Sequence, residues 1–230
     1  MAEVDFQYYI VFGRKMTILH SFDFNITSYC QASCSGCARN EPDGEQVAWL
    51  TPKHMSVAKF AKILDSGKGI LNYDEIQLCG ELGDPMMHPK ITDIIKTSLQ
   101  YNPELIKINT NGGLRSVKWY QEMSKYKQLR IMWGIDGIDQ ETNNKYRVGV
   151  NFNKAFANMK AWFQSGGKGE WHFILFNWNY KQIPQVVELS KSIGCNVLFK
   201  INRTDDIREG MQEGPELREA EELLEKHWHV

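Results

Sequence analysis

Residues 22–37 read Phe22-Asp23-Phe24-Asn25-Ile26-Thr27-Ser28-Tyr29-Cys30-Gln31-Ala32-Ser33-Cys34-Ser35-Gly36-Cys37. An apolar run of strand length, 22–27, passes directly into three cysteines spaced CxxxCxxC. Further runs of the same size follow at 75–78, 105–109, 129–135, 171–176 and 197–201. Segments of helical pattern separate them at 52–65, 88–101, 114–125, 151–164 and 182–193, with Gly or Asn near several of their ends, and a charged helix over 215–227 comes last. Strand and helix alternating about six times predict a parallel sheet covered by outer helices. Six units fall short of eight-fold closure, so the expected α/β architecture is an open, partial (β/α)6 TIM-like barrel. The stretch 6–18, turning at Gly13, reads as an N-terminal hairpin. A chain of 230 residues fits one domain: a hairpin in 1–20, a barrel core over 21–205 and a C-terminal helix within 206–230.

Composition excludes several classes of function. Apolar residues make up 42% and charged residues 24%, the balance of a soluble globular protein rather than a disordered tail or coiled coil. The net charge of −1 leaves no basic footprint for nucleic acid. Met1-Ala2-Glu3-Val4-Asp5 is acidic where a secretion signal is basic, and no apolar run reaches membrane-spanning length. A cytoplasmic protein with no membrane partner is expected.

Five cysteines, three of them within eight residues, make a poor disulfide framework and a better metal site. In a parallel α/β fold, ligands gather at the C-terminal ends of the strands. The cysteine loop follows the first run, Cys79-Gly80-Glu81-Leu82-Gly83-Asp84-Pro85 the second, Thr110-Asn111-Gly112-Gly113 the third and Asp136-Gly137 the fourth. Three thiolates can hold three irons of a four-iron cubane and leave the fourth iron open to another ligand. A zinc site, with Cys79 or His54 as a fourth ligand, and three ordinary thiols are the alternatives from spacing alone.

Over about residues 20–202 the chain resembles the radical S-adenosylmethionine (SAM) family, whose signature is a CxxxCxxC loop after the first strand of a partial barrel. The resemblance implies one [4Fe–4S] cluster on Cys30, Cys34 and Cys37, with SAM on the open iron. It implies reductive cleavage of SAM to a 5′-deoxyadenosyl radical, which abstracts hydrogen from a substrate. Gly80, Glu81 and Asp84 lie in a variant of the family's Gly-Gly-Glu motif. Thr110 and Asn111 match its Thr-Asn-Gly, and Asp136 lies in a Gly-Ile-Asp-Gly similar to its Ser-Ile-Asp-Gly, with Gly134 in place of the serine. Arg147 and Asn177 stand where relatives place residues that reach the cofactor. Gly36 replaces an aromatic residue often found before the third cysteine.

The same resemblance implies a flavodoxin or ferredoxin as electron donor. The motif order is similar to the peptide-modifying and sulfatase-maturing branch, but no cysteine follows Cys195, so auxiliary clusters are not expected. The substrate, a peptide, a protein or a small molecule, stays open. So do a glycyl-radical activating enzyme, a 7-deazapurine-type nucleoside-precursor synthase, and a non-catalytic zinc or iron–sulfur binding module. Trp178, Asn179 and Tyr180 read either as pocket lining or as barrel-mouth packing. Cys195 reads as a small buried hydrophobe, and His227 with His229 as a frayed terminus.

Overall fold

The computed structural model describes residues 21–41, 43–68, 73–201 and 217–227. The expected hairpin over 6–18 lies outside them. Six strands, β1 (Ser21–Phe24), β2 (Glu75–Leu78), β3 (Leu105–Thr110), β4 (Leu129–Gly134), β5 (Lys168–Leu175) and β6 (Asn196–Ile201), form one sheet in chain order. Every neighbouring pair is parallel. Among the described residues β1 and β6 do not pair, so the sheet is the open, partial barrel that the alternation predicts. The helices are α1 (Val57–Gly67), α2 (Ile91–Leu99), α3 (Val117–Met123), α4 (Gln140–Asn144), α5 (Phe152–Gln164), α6 (Ile183–Ile193) and α7 (Leu217–His227).

Side chains alternate across a strand, and the two faces of this sheet differ in kind. Ile106 and Ile108 on β3, Ile131 and Trp133 on β4, and Trp171 and Phe173 on β5 are fully buried in the apolar core. Helix residues complete that layer: the Phe60 ring of α1 meets Phe24 edge-on at 4.9 Å, and Tyr120 of α3 lies 4.9 Å from Trp133. Each such ring or branched side chain contributes about 1.5–3 kcal/mol on burial. The intervening residues include Gln77, Lys107, Arg130, Glu170, His172 and Lys200. The other face of the sheet therefore carries many polar residues alongside Met132, Ile174 and Leu198, where a closed barrel would be packed with branched apolar residues.

Local chemistry moves several boundaries from their expected places. β1 stops at Phe24 because the chain then leaves the ladder: Thr27 forms an antiparallel bridge with His54, and Met55 N–H donates to Ile26 O. The segment 52–55 is thereby extended, and α1 starts five residues later than expected, capped by Ser56 Oγ accepting from Lys59 N–H. Pro89 holds His88 out of the helical region, so α2 begins at Ile91 rather than 88. α3 waits for its own cap, Ser116, after Arg115 in the left-handed region. The five-residue α4 has no apolar periodicity to announce it; it rests on a capping box between Asp139 and Thr142.

α7 returns to the body of the fold. Ala220 is fully buried, Leu223 and Leu224 pack against the core, and Glu219 pairs with Lys181 at 3.5 Å and with the Tyr180 hydroxyl. No helix among the described residues is long and apolar enough to cross a membrane.

Gly169 opens β5 at φ +146°, and a Cβ there would lie 1.9 Å from the Ile131 carbonyl oxygen of β4. Gly169→Ala is expected to separate the β4–β5 ladder at its start and cost about 2–4 kcal/mol. A urea unfolding midpoint within error of wild type would contradict that reading.

Candidate active site

At the C-terminal edge of the sheet the loops after β1 to β4 converge on a cavity of about 360 Å³. Cys30, Cys34 and Cys37 line it, with Gly80, Glu81, Asp84, Thr110, Asn111, Tyr146 and Arg147, and with Met132, His172, Ile174 and Lys200 from the inward strand positions.

The cysteine loop is held from inside and outside. The guanidinium of Arg39, 6% exposed, donates to Ser28 O at 3.3 Å and Ala32 O at 3.4 Å, clasping the loop on both sides of Cys30. Cys37 N–H donates to Cys34 O at 3.1 Å, Asn40 Nδ2 also donates to Cys34 O, and Ser33 N–H donates to Val148 O. Gly149, φ +87°, passes so close to Gln31 that a Cβ would lie 2.8 Å from its carbonyl oxygen. Gln31 Nε2 in turn donates to Asn111 Oδ1 at 2.6 Å, tying the loop to the end of β3.

Burial pushes the Cys30 thiol up to about 11, with Asp84 adding to it; burial also raises Cys34, opposed by the Arg147 charge. Such thiols ionise when cationic irons bind them. Among the described residues no three Cys, His, Asp or Glu side chains gather where a single ion could sit. Three cysteines of one loop that all line one cavity suit a cluster, whose cysteines each take a different iron. The two side chains weighed as a fourth zinc ligand are not in the cavity lining. His54 is stacked on Tyr29 and hydrogen-bonded through Nδ1 to Thr27 Oγ1 at 2.8 Å, and Cys79 is half-buried.

Asp84 is 3% exposed, and its carboxylate accepts from Thr110 Oγ1 at 2.9 Å, Asn111 N–H at 2.8 Å and Met86 N–H at 2.9 Å. Its own N–H donates to Tyr29 O. Burial raises its carboxyl above the usual range, against those donors. Asp84 thus joins the loops after β1, β2 and β3, and its oxygens are largely taken by protein. Glu81 is exposed at the rim, its Oε2 accepting from Asn25 Nδ2 at 3.3 Å. Gly80 runs close to β3, its Cβ position 3.3 Å from Asn109 O.

The next carboxylate, Asp136, is fully buried. It accepts from Arg147 Nε at 2.6 Å and Ile174 N–H at 2.7 Å, while its backbone N–H donates to Asn143 Oδ1 and its backbone O accepts from Asn179 Nδ2. Burial works against the charge of Arg147, but Asp136 and the Cys34 sulfur outweigh it and lift its pKa above the ordinary value. Arg147 Nη1 lies 4.0 Å from Cys34 Sγ. A Cβ on Gly134 would sit 2.8 Å from Arg147 Nη2, so the guanidinium occupies the space of the serine that the sequence lacks.

Asn177 is exposed in the turn after β5 and does not line the cavity. Two positions on, Asn179 is the asparagine that matters here: fully buried, it donates to Asp136 O and Ile174 O and accepts from Phe176 N–H. Asn179, read as pocket lining or barrel-mouth packing, is packing, whereas Gln31, His172 and Lys200 are site residues that the motifs did not single out. For the last two, a polar residue set between apolar neighbours, His172 between Trp171 and Phe173 and Lys200 between Phe199 and Ile201, was the available signal. Trp178 stacks on Phe176 at 5.2 Å, which in turn meets the cavity-lining Tyr146 at 4.8 Å, so these aromatics form a wall. Cys195 is buried, its thiol pushed up to about 12 by burial, as a small hydrophobe would be.

The family profile of the Radical SAM superfamily matches residues 24–189. The chain belongs to the radical SAM superfamily. Radical SAM proteins carry a [4Fe–4S] cluster and use SAM, and the cysteine loop facing the Gly80-Glu81 turn across one cavity fits both. The chain is 25% identical over 156 residues to GTP 3′,8-cyclase of Paenarthrobacter nicotinovorans, covering 67% of this chain and 41% of the cyclase. Its fold matches SuiB of Streptococcus suis bound to S-adenosylmethionine with a TM-score of 0.68 at 16% identity, over 90% of this chain and 46% of SuiB. It matches methylornithine synthase (PylB) with a TM-score of 0.59 at 16% identity, over 86% of this chain and 58% of that one. This radical SAM chain therefore spans about half the length of the relatives it matches, or less.

Asp139 is the cap on which α4, and with it Asn143 and the approach to Arg147, depends. Hydrogen bonds from Thr142 hold its carboxyl below the ordinary 3.8. A lowered folded-state pKa means that the cap's contribution is present above pH 3.8 and is lost as pH falls through the folded-state value. Asp139→Ala is expected to cost about 1 kcal/mol at pH 7, with the gap to wild type closing in acid, as read by urea midpoints across that range. A gap independent of pH would contradict the capping role.

Proposed function

We propose that this protein is a single-cluster radical SAM enzyme that forms a 5′-deoxyadenosyl radical and abstracts hydrogen from a substrate held against the open side of its barrel. The convergence of Cys30, Cys34 and Cys37 with the Gly80-Glu81 turn on one cavity carries the reading. When bound, the [4Fe–4S] cluster supplies the electron that splits the sulfur–carbon bond of SAM; a flavodoxin or ferredoxin donates it.

The chain's own residues position and shield. Arg39 and Asn40 hold the loop so that the three thiols keep their places, and Asp84 holds the SAM-facing turn against it. The exposed carboxylate of Glu81 and the backbone at Gly80 suit the ammonium of the methionyl group. Arg147, fixed through Nε on Asp136, keeps its outer nitrogens for the methionyl carboxylate. The Tyr146, Phe176 and Trp178 wall excludes water from one flank.

Matched relatives act on unlike molecules: the cyclase is named for GTP, and SuiB has been crystallised with the precursor peptide SuiA. The family likeness therefore supports the radical step and leaves the substrate to be read from this chain's own residues.

Anaerobic reconstitution with iron and sulfide, then dithionite and SAM, is expected to give about four irons per chain and 5′-deoxyadenosine. Cys30→Ala, Cys34→Ala and Cys37→Ala should each abolish the product. Stoichiometric zinc, or a full cluster that does not cleave SAM, would move the reading to a binding module.

A further inference from the structure

Three cations line the cavity, and two of them already have a role. Arg39 is spent on the carbonyls of the cysteine loop, and Arg147 is paired with Asp136 at 2.6 Å. Lys107, one register level below Asn109 on β3, is likewise paired, with Glu75 at 2.7 Å. Lys200 differs. It stands on the inward face of β6, in register with Ile174 of β5, and both line the cavity with His172.

Lys200 Nζ lies 3.2 Å from His172 Nδ1, and His172 Nε2 lies 3.2 Å from a Glu170 carboxylate oxygen. The two contacts together select a tautomer: Nε2–H donates to Glu170, and Nδ1 accepts from the ammonium. Burial first, then the Lys200 charge, holds the imidazole below its ordinary pKa, so at neutral pH the ring is uncharged. A neutral acceptor orients the ammonium without cancelling its charge. Among the described residues no carboxylate forms an ion pair with Lys200. An ammonium has three donors and His172 takes one; among the described residues no other hydrogen bond from Nζ is seen.

We propose that Lys200, oriented by His172 and Glu170, anchors an oxyanion of the substrate, a carboxylate or a phosphate, on the wall of the cavity formed by β5 and β6. This rests on the SAM-cleaving reading above and adds the substrate's chemical class to it. The charge-assisted bond fixes one end of the substrate, while the cysteine loop and its cofactors occupy the side built from β1 to β4.

The test uses the reconstituted protein with its histidine rings labelled with nitrogen-15, titrated anaerobically with inorganic phosphate and, separately, malonate. A saturable shift of the His172 ring nitrogens is expected with at least one of them, and the stronger arm tells phosphate from carboxylate. Lys200→Gln should weaken that binding at least tenfold, Lys200→Arg should keep it, and Lys118→Gln, an exposed change on α3, should bind as wild type does. The proposal is overturned if neither anion moves His172, or if Lys200→Gln binds as well as wild type while its other ring resonances show an intact fold. The wild-type sample is also assayed for 5′-deoxyadenosine, so a failure of SAM cleavage is read separately from a failure of anion binding.

Discussion

A carboxylate with almost no access to water holds the working edge of this molecule together. Asp84 accepts from Thr110, Asn111 and Met86 and donates its N–H to Tyr29, so one side chain and its amide join the ends of β1, β2 and β3. Taking such a group out of water is costly, and the cost is recovered only while every donor stays in place. Removing the acceptor strands those donors at about 1–3 kcal/mol each. The loops cannot drift independently, which is what a site shared between a metal cluster and a separate ligand demands. Gly83 shows how tight the junction is: a Cβ there would lie 2.6 Å from Thr27 O.

Asp136 repeats the device one strand pair further on. Its side chain joins β4 to β5 through Ile174 and fixes Arg147, and Asn179 closes the same corner from below. The two buried carboxylates divide the cavity into a wall from β1 to β3, which carries the cysteines and the Gly80-Glu81 turn, and a wall from β4 to β6. Arg147 crosses between them to within 4.0 Å of Cys34. On the proposed reading, the polar inward residues of β5 and β6 on the second wall remain for the substrate. The apolar core lies between the sheet and its helices, which leaves polar residues on the concave face.

The order of the elements was legible because parallel strands buried on their helix-facing side are dense in Ile, Trp and Phe, and because the helices between them keep their period. Boundaries slipped where a specific cap or bridge overrode the pattern, as at His54 in front of α1 and Ser116 in front of α3. The cysteine loop and the turns after β2, β3 and β4 were legible from residue type and spacing. The pairings within them were not. Nothing in the order Asn177-Trp178-Asn179 says which amide turns inward; that depends on β5 ending at Leu175, so that Asn179 can reach back to Ile174 and Asp136. Gly134 read only as a replacement for a serine, and in the fold it is the space that admits Arg147. The Glu170, His172 and Lys200 chain needed the register of β5 on β6, a long-range quantity that no local motif carries.

The central claim is that three cysteines leave one iron of the cluster open to SAM inside this cavity. Electron paramagnetic resonance of the reduced, reconstituted protein tests it most directly, with SAM carrying nitrogen-15 or oxygen-17 in its methionyl amino or carboxylate group. The account predicts that SAM shifts the signal of the reduced cluster and that the label adds a resolved hyperfine coupling, the sign of direct coordination. A fully reduced cluster whose spectrum is the same with and without saturating SAM would contradict it.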